Sequence, residues 1–96
     1  MKVRWTAKAE SELWQAVRHI ASDNQSAALE IYDRVMRQTK SLEDHPFRGR
    51  PGRQPDTREL VIVLTPYLVV YRVGPGGVSI ARVLHGAQRW PPRRAR

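Results

Sequence analysis

Hydrophobic periodicity changes part-way along this chain, and the change narrows the possible folds more than any other feature. Between residues 7 and 43 apolar residues recur every three or four positions, a spacing typical of amphipathic helices. From residue 58 they form short β-rich runs instead. Two helices followed by strands must cover one face of a sheet, so the pattern predicts an α+β domain.

Two helices are predicted, over residues 7–22 and 26–43. Thr6 offers a side-chain oxygen as the N-cap of the first helix, and the polar residues 23–26 interrupt the pattern and start the second. Because this connection is short, the two helices are expected to form an antiparallel hairpin. Trp14 falls on the apolar stripe and is expected in the core.

Three strands are predicted, over residues 59–64, 67–73 and 78–84. Short turns join them, so they are expected to form an antiparallel meander. Weak alternation at residues 2–5 predicts one more strand at a sheet edge. The predicted order is therefore β-α-α-β-β-β, in one domain over residues 1–90 followed by a basic Pro/Arg tail over 91–96.

Residues 44–57 join the two halves and carry three prolines, two glycines and three arginines. This composition predicts a long, exposed loop without regular structure. Loops of this length in small domains are often functional.

Positive charge is concentrated in the second half of the chain. The formal net charge is +8, and residues 45–96 hold ten arginines against Asp56 and Glu59. The planar guanidinium group suits phosphates, carboxylates and aromatic rings. A polyanion or an acidic protein is therefore the expected partner.

The composition argues against cysteine-dependent sites, membrane spans, secretion and metal binding. The 96 residues include no cysteine, and the longest aliphatic run, residues 60–64, is far shorter than a membrane span. The N-terminus has no secretory pattern, so a cytoplasmic protein without membrane association is expected. His19, His45 and His85 lack a second ligand at a suitable spacing, so neither a metal site nor a cofactor is predicted.

One set of residues could perform metal-free phosphodiester chemistry. Arg58 and Arg82 could stabilise charge on phosphorus, and His85 could transfer a proton. Strand parity argues against this set, because Arg82 would share a face with Val78, Ile80 and Leu84. His85 would instead share a face with Ser79, Ala81 and Val83 unless a bulge re-aims one of them.

Ordered segments along nearly the whole chain resemble the ParE branch of the RelE/ParE toxin superfamily. They are residues 27–28, 42–50, 58–60, 66–73 and 83–91. The resemblance implies the same β-α-α-β-β-β fold and a small toxin of a type II toxin–antitoxin system. It also implies an antitoxin partner and, in many relatives, a hetero-oligomer with it. RelE-like members cut messenger RNA on the ribosome, whereas ParE-like members inhibit DNA gyrase.

Departures from the RelE pattern favour the second mechanism. Positions that carry basic residues in RelE-like toxins correspond here to Glu59, Val61 and Leu68, which cannot hold a scissile phosphate. The apolar second strand is predicted to be buried on both faces. Inhibition of gyrase by binding, without catalysis, is the favoured function. The alternatives are a ribosome-dependent mRNA endonuclease and a non-toxic nucleic-acid-binding module.

Two groups of binding residues are predicted. The surface that binds the target is expected to include basic and aromatic residues of the loop and the C-terminus, namely Arg48, Arg50, Arg53, Arg89, Trp90, Arg93 and Arg94. An acidic antitoxin segment is expected to lie along the helical hairpin and the sheet edge. Its predicted contacts are Arg34, Arg37, Arg58 and Arg72.

Overall fold

The structure is a computed structural model that describes residues 1–88 and 90–91. Its elements are β1 (Val3–Trp5), α1 (Ala7–Ala21), α2 (Gln25–Lys40), β2 (Arg50–Pro51), β3 (Arg58–Val61), β4 (Tyr67–Gly74) and β5 (Gly77–His85). The five strands form one sheet in the order β1-β5-β4-β3-β2. β1 runs parallel to β5, and the other neighbours are antiparallel. The predicted α+β fold and the edge position of the N-terminal strand are confirmed.

Both helices begin at the expected caps. The Thr6 hydroxyl accepts a hydrogen bond from the Ala9 amide at 3.1 Å, and the Asn24 side chain accepts one from the Ala27 amide at 3.0 Å. The α-helical conformation of α2 ends at Lys40, earlier than the predicted residue 43, and a 3-10 turn at Ser41–Glu43 follows. A tightened final turn of this kind is common at helix ends.

The loop is more ordered than its composition predicts. Arg50 and Pro51 form β2, which pairs with Glu59 and Arg58 of β3, so the prediction that residues 44–57 lack regular structure is wrong. Proline is tolerated because β2 is the edge strand and needs no ladder donor on its outer side.

The prediction that the second strand is buried on both faces is also wrong. Leu60 and Ile62 are buried on the side covered by the helices, whereas Val61 and Val63 are at least half exposed. The strand ends at Val61, and residues 62–65 form a turn. The apolar sequence at residues 60–64 therefore extends beyond the end of the strand, into a turn that is partly exposed to solvent.

The sheet has one face covered by the helices and one open face. Side chains of both helices and of β3, β4 and β5 form the main core on the covered face, with Leu13, Val35, Leu60, Tyr71 and Ile80 among its buried members. On the open face only Leu68, Val70 and Leu84 form a small cluster, with Trp90 packed against it. Trp14, which we expected in the core, is 48% exposed and stacks on Tyr32.

A β-bulge changes which residues of β5 share a face. Val70 pairs with Arg82, but Tyr71 pairs with Ile80, so Ala81 is the extra residue. Val83 therefore joins Val78 and Ile80 in the main core, and Leu84 belongs to the open-face cluster.

The predicted membership of the two faces is therefore wrong for the residues before the bulge, because Val78 and Ile80 lie on the face opposite to Arg82, and Ser79 lies on the face opposite to His85. His85 lies on the covered face with Val83, and Arg82 lies on the open face with Leu84. The prediction that Arg82 and His85 point to opposite sides still holds.

Candidate functional site

The open face of the sheet bears a basic concavity. It has a volume of about 380 Å³, and three cationic side chains, Lys8, Arg72 and Arg82, contribute to its lining. Trp90 provides an aromatic wall. This composition suits a negatively charged partner.

A buried carboxylate anchors the arginine-rich loop beside this concavity. The Glu59 side chain is only 1% exposed, and its oxygens accept hydrogen bonds from Arg50 Nη2 at 3.1 Å and from the Arg53 amide at 3.0 Å. Arg53 donates two more bonds through Nε and Nη2. Burial alone would raise the pKa of Glu59, but the hydrogen bonds from Arg53 and Arg50 outweigh it, so the pKa lies below its usual value. The carboxylate is therefore ionised and neutralises part of the loop's charge.

A second carboxylate holds Arg82. Glu12 lies on α1 and reaches the edge of β5 beyond the last residue of β1. It accepts hydrogen bonds from Arg82 Nε at 3.0 Å and Nη2 at 2.7 Å, and from the Val83 amide at 3.0 Å. The Arg82 guanidinium also lies 5.0 Å from the centre of the Trp90 ring. The Arg82 side chain is thus held by the Glu12 carboxylate and by the Trp90 ring.

The Arg58 side chain contacts the loop over residues 44–57. Its Nη1 donates to the Gly49 carbonyl at 2.7 Å, and its guanidinium lies 4.8 Å from the Phe47 ring centre. The neighbouring Tyr71 hydroxyl donates to the Pro46 carbonyl and accepts from the Gly49 amide, each at 2.8 Å. Burial raises the pKa of Tyr71, against a smaller opposing effect of the Gly49 hydrogen bond.

Gly49 is required by this packing. A Cβ atom at this position would approach the Tyr71 hydroxyl to 2.7 Å and the Glu59 carbonyl to 2.8 Å. Such distances are closer than carbon and oxygen tolerate, so a side chain here would displace the loop.

The three candidate nuclease residues are not brought together. His85 is exposed at the end of β5, where Nδ1 accepts a hydrogen bond from the Ala87 amide at 3.0 Å. His85 pairs with Tyr67 and Arg58 with Tyr71, so they lie four residues apart along β4, about 13 Å. Arg82 points to the opposite face from both.

The predicted target-binding residues divide into separate locations. Arg50 and Arg53 bind Glu59, and Arg53 Nη1 also donates to the Trp90 carbonyl at 3.1 Å. Arg48 does not bind Glu59; its side chain donates a hydrogen bond to Ser41 Oγ, just after α2, at 3.2 Å. Arg89, Arg93 and Arg94, together with the rest of the tail from residue 92, lie outside the described residues.

The predicted antitoxin-binding residues do not form one surface. Arg34 and Arg37 lie on α2 and pair with Glu30 and Asp33 at 2.9 and 3.0 Å. Arg58 is held by the loop, and Arg72 is exposed beside the open-face concavity.

Sequence reasoning missed an apolar groove beside β1. One concavity of about 340 Å³ is lined by Val3, Trp5 and Met36, with Arg37, Thr39, Lys40 and Glu43 also in its lining. A second of about 250 Å³ continues past Trp5 and Met36 to Trp14 and Tyr32. We call these two concavities the edge groove. Trp14 gave the only sequence signal, which we read as core.

Neither metal-binding clusters nor membrane-spanning helices occur in the described part of the chain. No three histidine, aspartate or glutamate side chains there are grouped so that they could hold an ion. Neither α1 nor α2 is long and apolar enough to cross a bilayer.

Comparison with known proteins assigns the chain to a family. Residues 3–90 match the family described as the ParE toxin of the type II toxin-antitoxin system, parDE. The chain belongs to the ParE toxin family. It is also 37% identical over 90 residues to the protein named "Putative toxin Y4kP" of Sinorhizobium fredii (strain NBRC 101917 / NGR234), covering 94% of this chain and 93% of that one.

A solved structure supports the same assignment. The ParE-family chain superposes with a TM-score of 0.78 on a chain of the "Chromosomal ParDE TA system from P. aeruginosa", at 26% identity, covering 88% of this chain and 95% of that one. The resemblance drawn from the sequence is therefore confirmed: the protein is a ParE-like toxin of a type II toxin–antitoxin system.

Proposed function

We propose that this ParE-family toxin acts by binding DNA gyrase without breaking bonds, and that an acidic antitoxin neutralises it. The observation that carries the first part is the separation of Arg58, Arg82 and His85, each of which already has a partner within the chain. Metal-free phosphodiester cleavage needs a proton-transfer group and a charge-stabilising group around one phosphate. These residues do not enclose such a position.

The Glu59 carboxylate also disfavours an RNA substrate at its own part of the open face. Glu59 occupies the face beside Val70 and Arg82, and its lowered pKa keeps it negative at neutral pH. A phosphate brought to this part of the face would meet the Glu59 carboxylate and two arginines, Arg50 and Arg53, whose donors already bind that carboxylate. Binding at the periphery, through arginines without a carboxylate partner, is more favourable electrostatically.

The experiment pairs two readouts in cells that express the toxin without antitoxin. We expect covalent gyrase–DNA cleavage complexes to accumulate while transcripts stay intact. His85→Ala should leave both readouts unchanged, because the described contacts of the His85 ring are a hydrogen bond from its own turn and an edge contact with the Tyr67 ring. Ribosome-dependent cuts in messenger RNA that disappear in His85→Ala would establish the endonuclease and overturn the proposal.

The edge groove supports the proposal for the antitoxin. β1 is the last strand of the sheet, so its outer backbone groups are available to another strand, and the groove beside it is apolar. Arg37 and Lys40 border the groove. An antitoxin segment with apolar side chains and flanking carboxylates would fit both features.

Charge reversal at the groove tests this docking site. Arg37→Glu combined with Lys40→Glu should weaken binding of the antitoxin encoded beside the toxin gene at least tenfold at low salt, with a smaller effect at high salt. Lys8→Glu combined with Arg18→Glu, both on the exposed surface of α1, is the control with the same change of net charge. Equal losses in the two variants, or affinity that does not depend on salt, would argue against this site.

A further inference from the structure

The turn between β3 and β4 has a leucine where its backbone favours glycine or asparagine. The Thr65 amide donates to the Ile62 carbonyl at 3.2 Å, which closes a four-residue turn over residues 62–65. Leu64 is the third residue and has φ +63°, and Val63 is not in the left-handed region. This is the pattern of a type II turn, whose third residue is usually glycine or asparagine.

Neighbouring contacts hold the turn in this conformation. The Thr65 hydroxyl donates to the Ile62 carbonyl at 2.9 Å and accepts from the Tyr67 amide at 3.1 Å. The Val63 amide donates to Gln38 Oε1 of α2 at 3.1 Å. The left-handed conformation of Leu64 is therefore imposed by the surrounding structure.

The Leu64 side chain contributes little to the fold that holds it. It is 81% exposed, more than any other large hydrophobic side chain in the described part of the chain. Leucine thus has an unfavourable backbone conformation here and gains almost no burial. Val61 and Val63 extend the exposed apolar surface toward the sheet.

A basic cleft adjoins this apolar turn. Arg34, Arg37 and Arg48 line it, together with Gln38, Ser41 and Val63, the chain neighbour of Leu64; we call it the α2 cleft. Arg34 and Arg37 pair with carboxylates of α2, whereas Arg48 has no carboxylate partner within residues 1–88 and 90–91. The patch therefore combines aliphatic side chains with uncompensated positive charge.

We propose that the turn at residues 62–65 and the α2 cleft form the surface with which the toxin binds its protein target. The partner is a protein surface with an apolar pocket for Leu64 and carboxylates opposite Arg48. A protein fits better than a nucleic acid, because aliphatic side chains offer no ring on which bases stack. The identity of that partner as gyrase rests on the proposed function above.

The test separates fold stability from binding. In Leu64→Asn the new residue tolerates the left-handed conformation, so Tm should equal that of the wild type or exceed it by up to about 4–8 °C. Affinity for purified bacterial gyrase should nevertheless fall at least tenfold, as expected for a central apolar contact. Growth inhibition without antitoxin should fall in parallel. Leu29→Ala, at the other strongly exposed leucine of the described chain, should leave affinity within threefold.

Four results would overturn the inference, the last of them together with the proposed function. The first is Leu64→Asn with wild-type affinity and toxicity, and the second is a loss of affinity accompanied by a lower Tm. The third is a toxin that binds free DNA through Arg48, independently of Leu64. A wild type that inhibits growth but does not bind gyrase would refute the proposed target alone, and the growth assay of Leu64→Asn would then decide the inference. A wild type with neither activity would overturn both.

Discussion

Glu59 should be the most important carboxylate for folding. Breaking a buried ion pair costs about 3–5 kcal/mol, because a charge is left without a partner. Here Arg50 and Arg53 are 56% and 47% exposed and stay hydrated, so we lower the figure for Glu59→Gln to about 2–3 kcal/mol of unfolding free energy. At about 4–8 °C per kcal/mol for a domain of this size, Tm should fall by about 10–20 °C.

Urea denaturation followed by circular dichroism measures this loss. Glu30→Gln is the control, because its carboxylate is 63% exposed in an i,i+4 pair with Arg34 and should cost only about 0.3–0.5 kcal/mol. If the two variants lose the same stability, the assignment of Glu59 as the anchor of the loop is refuted.

The same variant has a defined pH dependence. Because hydrogen bonds from Arg53 and Arg50 hold the pKa of Glu59 below its unfolded value of about 4.3, the carboxylate contributes its full stabilisation above that pH. The contribution is lost as pH falls through the lowered folded-state pKa. The stability gap between wild type and Glu59→Gln should therefore be constant between about pH 5 and 7 and narrow in more acidic solution.

Two further variants test other contacts of the sheet. Tyr71→Phe removes a hydroxyl that bridges the Gly49 amide and the Pro46 carbonyl, and should lower the unfolding free energy by about 1–3 kcal/mol in urea denaturation, with an unchanged value contradicting the bridge. Glu12→Gln weakens the two-point contact with Arg82 and should lower Tm by several degrees in differential scanning calorimetry, an effect that a mere surface contact would not produce.

Local signals predicted the helices well because their determinants are local. Thr6 and Asn24 cap α1 and α2 through hydrogen bonds within three residues. The β3 strand was predicted too long because continuous apolar residues do not distinguish burial from exposure, and its end at Val61 depends on the turn stabilised by Thr65 and Gln38. The bulge at Ala81 has no residue signature, so Val78, Ser79 and Ile80 were assigned to the wrong faces relative to Arg82 and His85.

The contacts of the candidate site depend on tertiary structure. Charge distribution alone indicated an anionic partner, but it could not reveal that Glu12 crosses from α1 to the edge of β5. Glu59 could have been noticed as one of two carboxylates in an arginine-rich half, yet its burial follows from the pairing of β2 with β3. Long-range pairs of this kind leave no spacing in the sequence.

The structure also shows which of the arginines are already bound within the chain. Residues 45–88 contain six arginines, and four of them bind carboxylates or backbone carbonyls of the same chain: Arg50 and Arg53 bind Glu59, Arg58 binds loop carbonyls and Arg82 binds Glu12. The other two, Arg48 and Arg72, line the α2 cleft and the open-face concavity. Because internal contacts hold most of these guanidinium groups, few of them are free to bind a partner. We therefore expect recognition there to depend on the positions of Arg48 and Arg72 beside apolar side chains, more than on the total number of arginines.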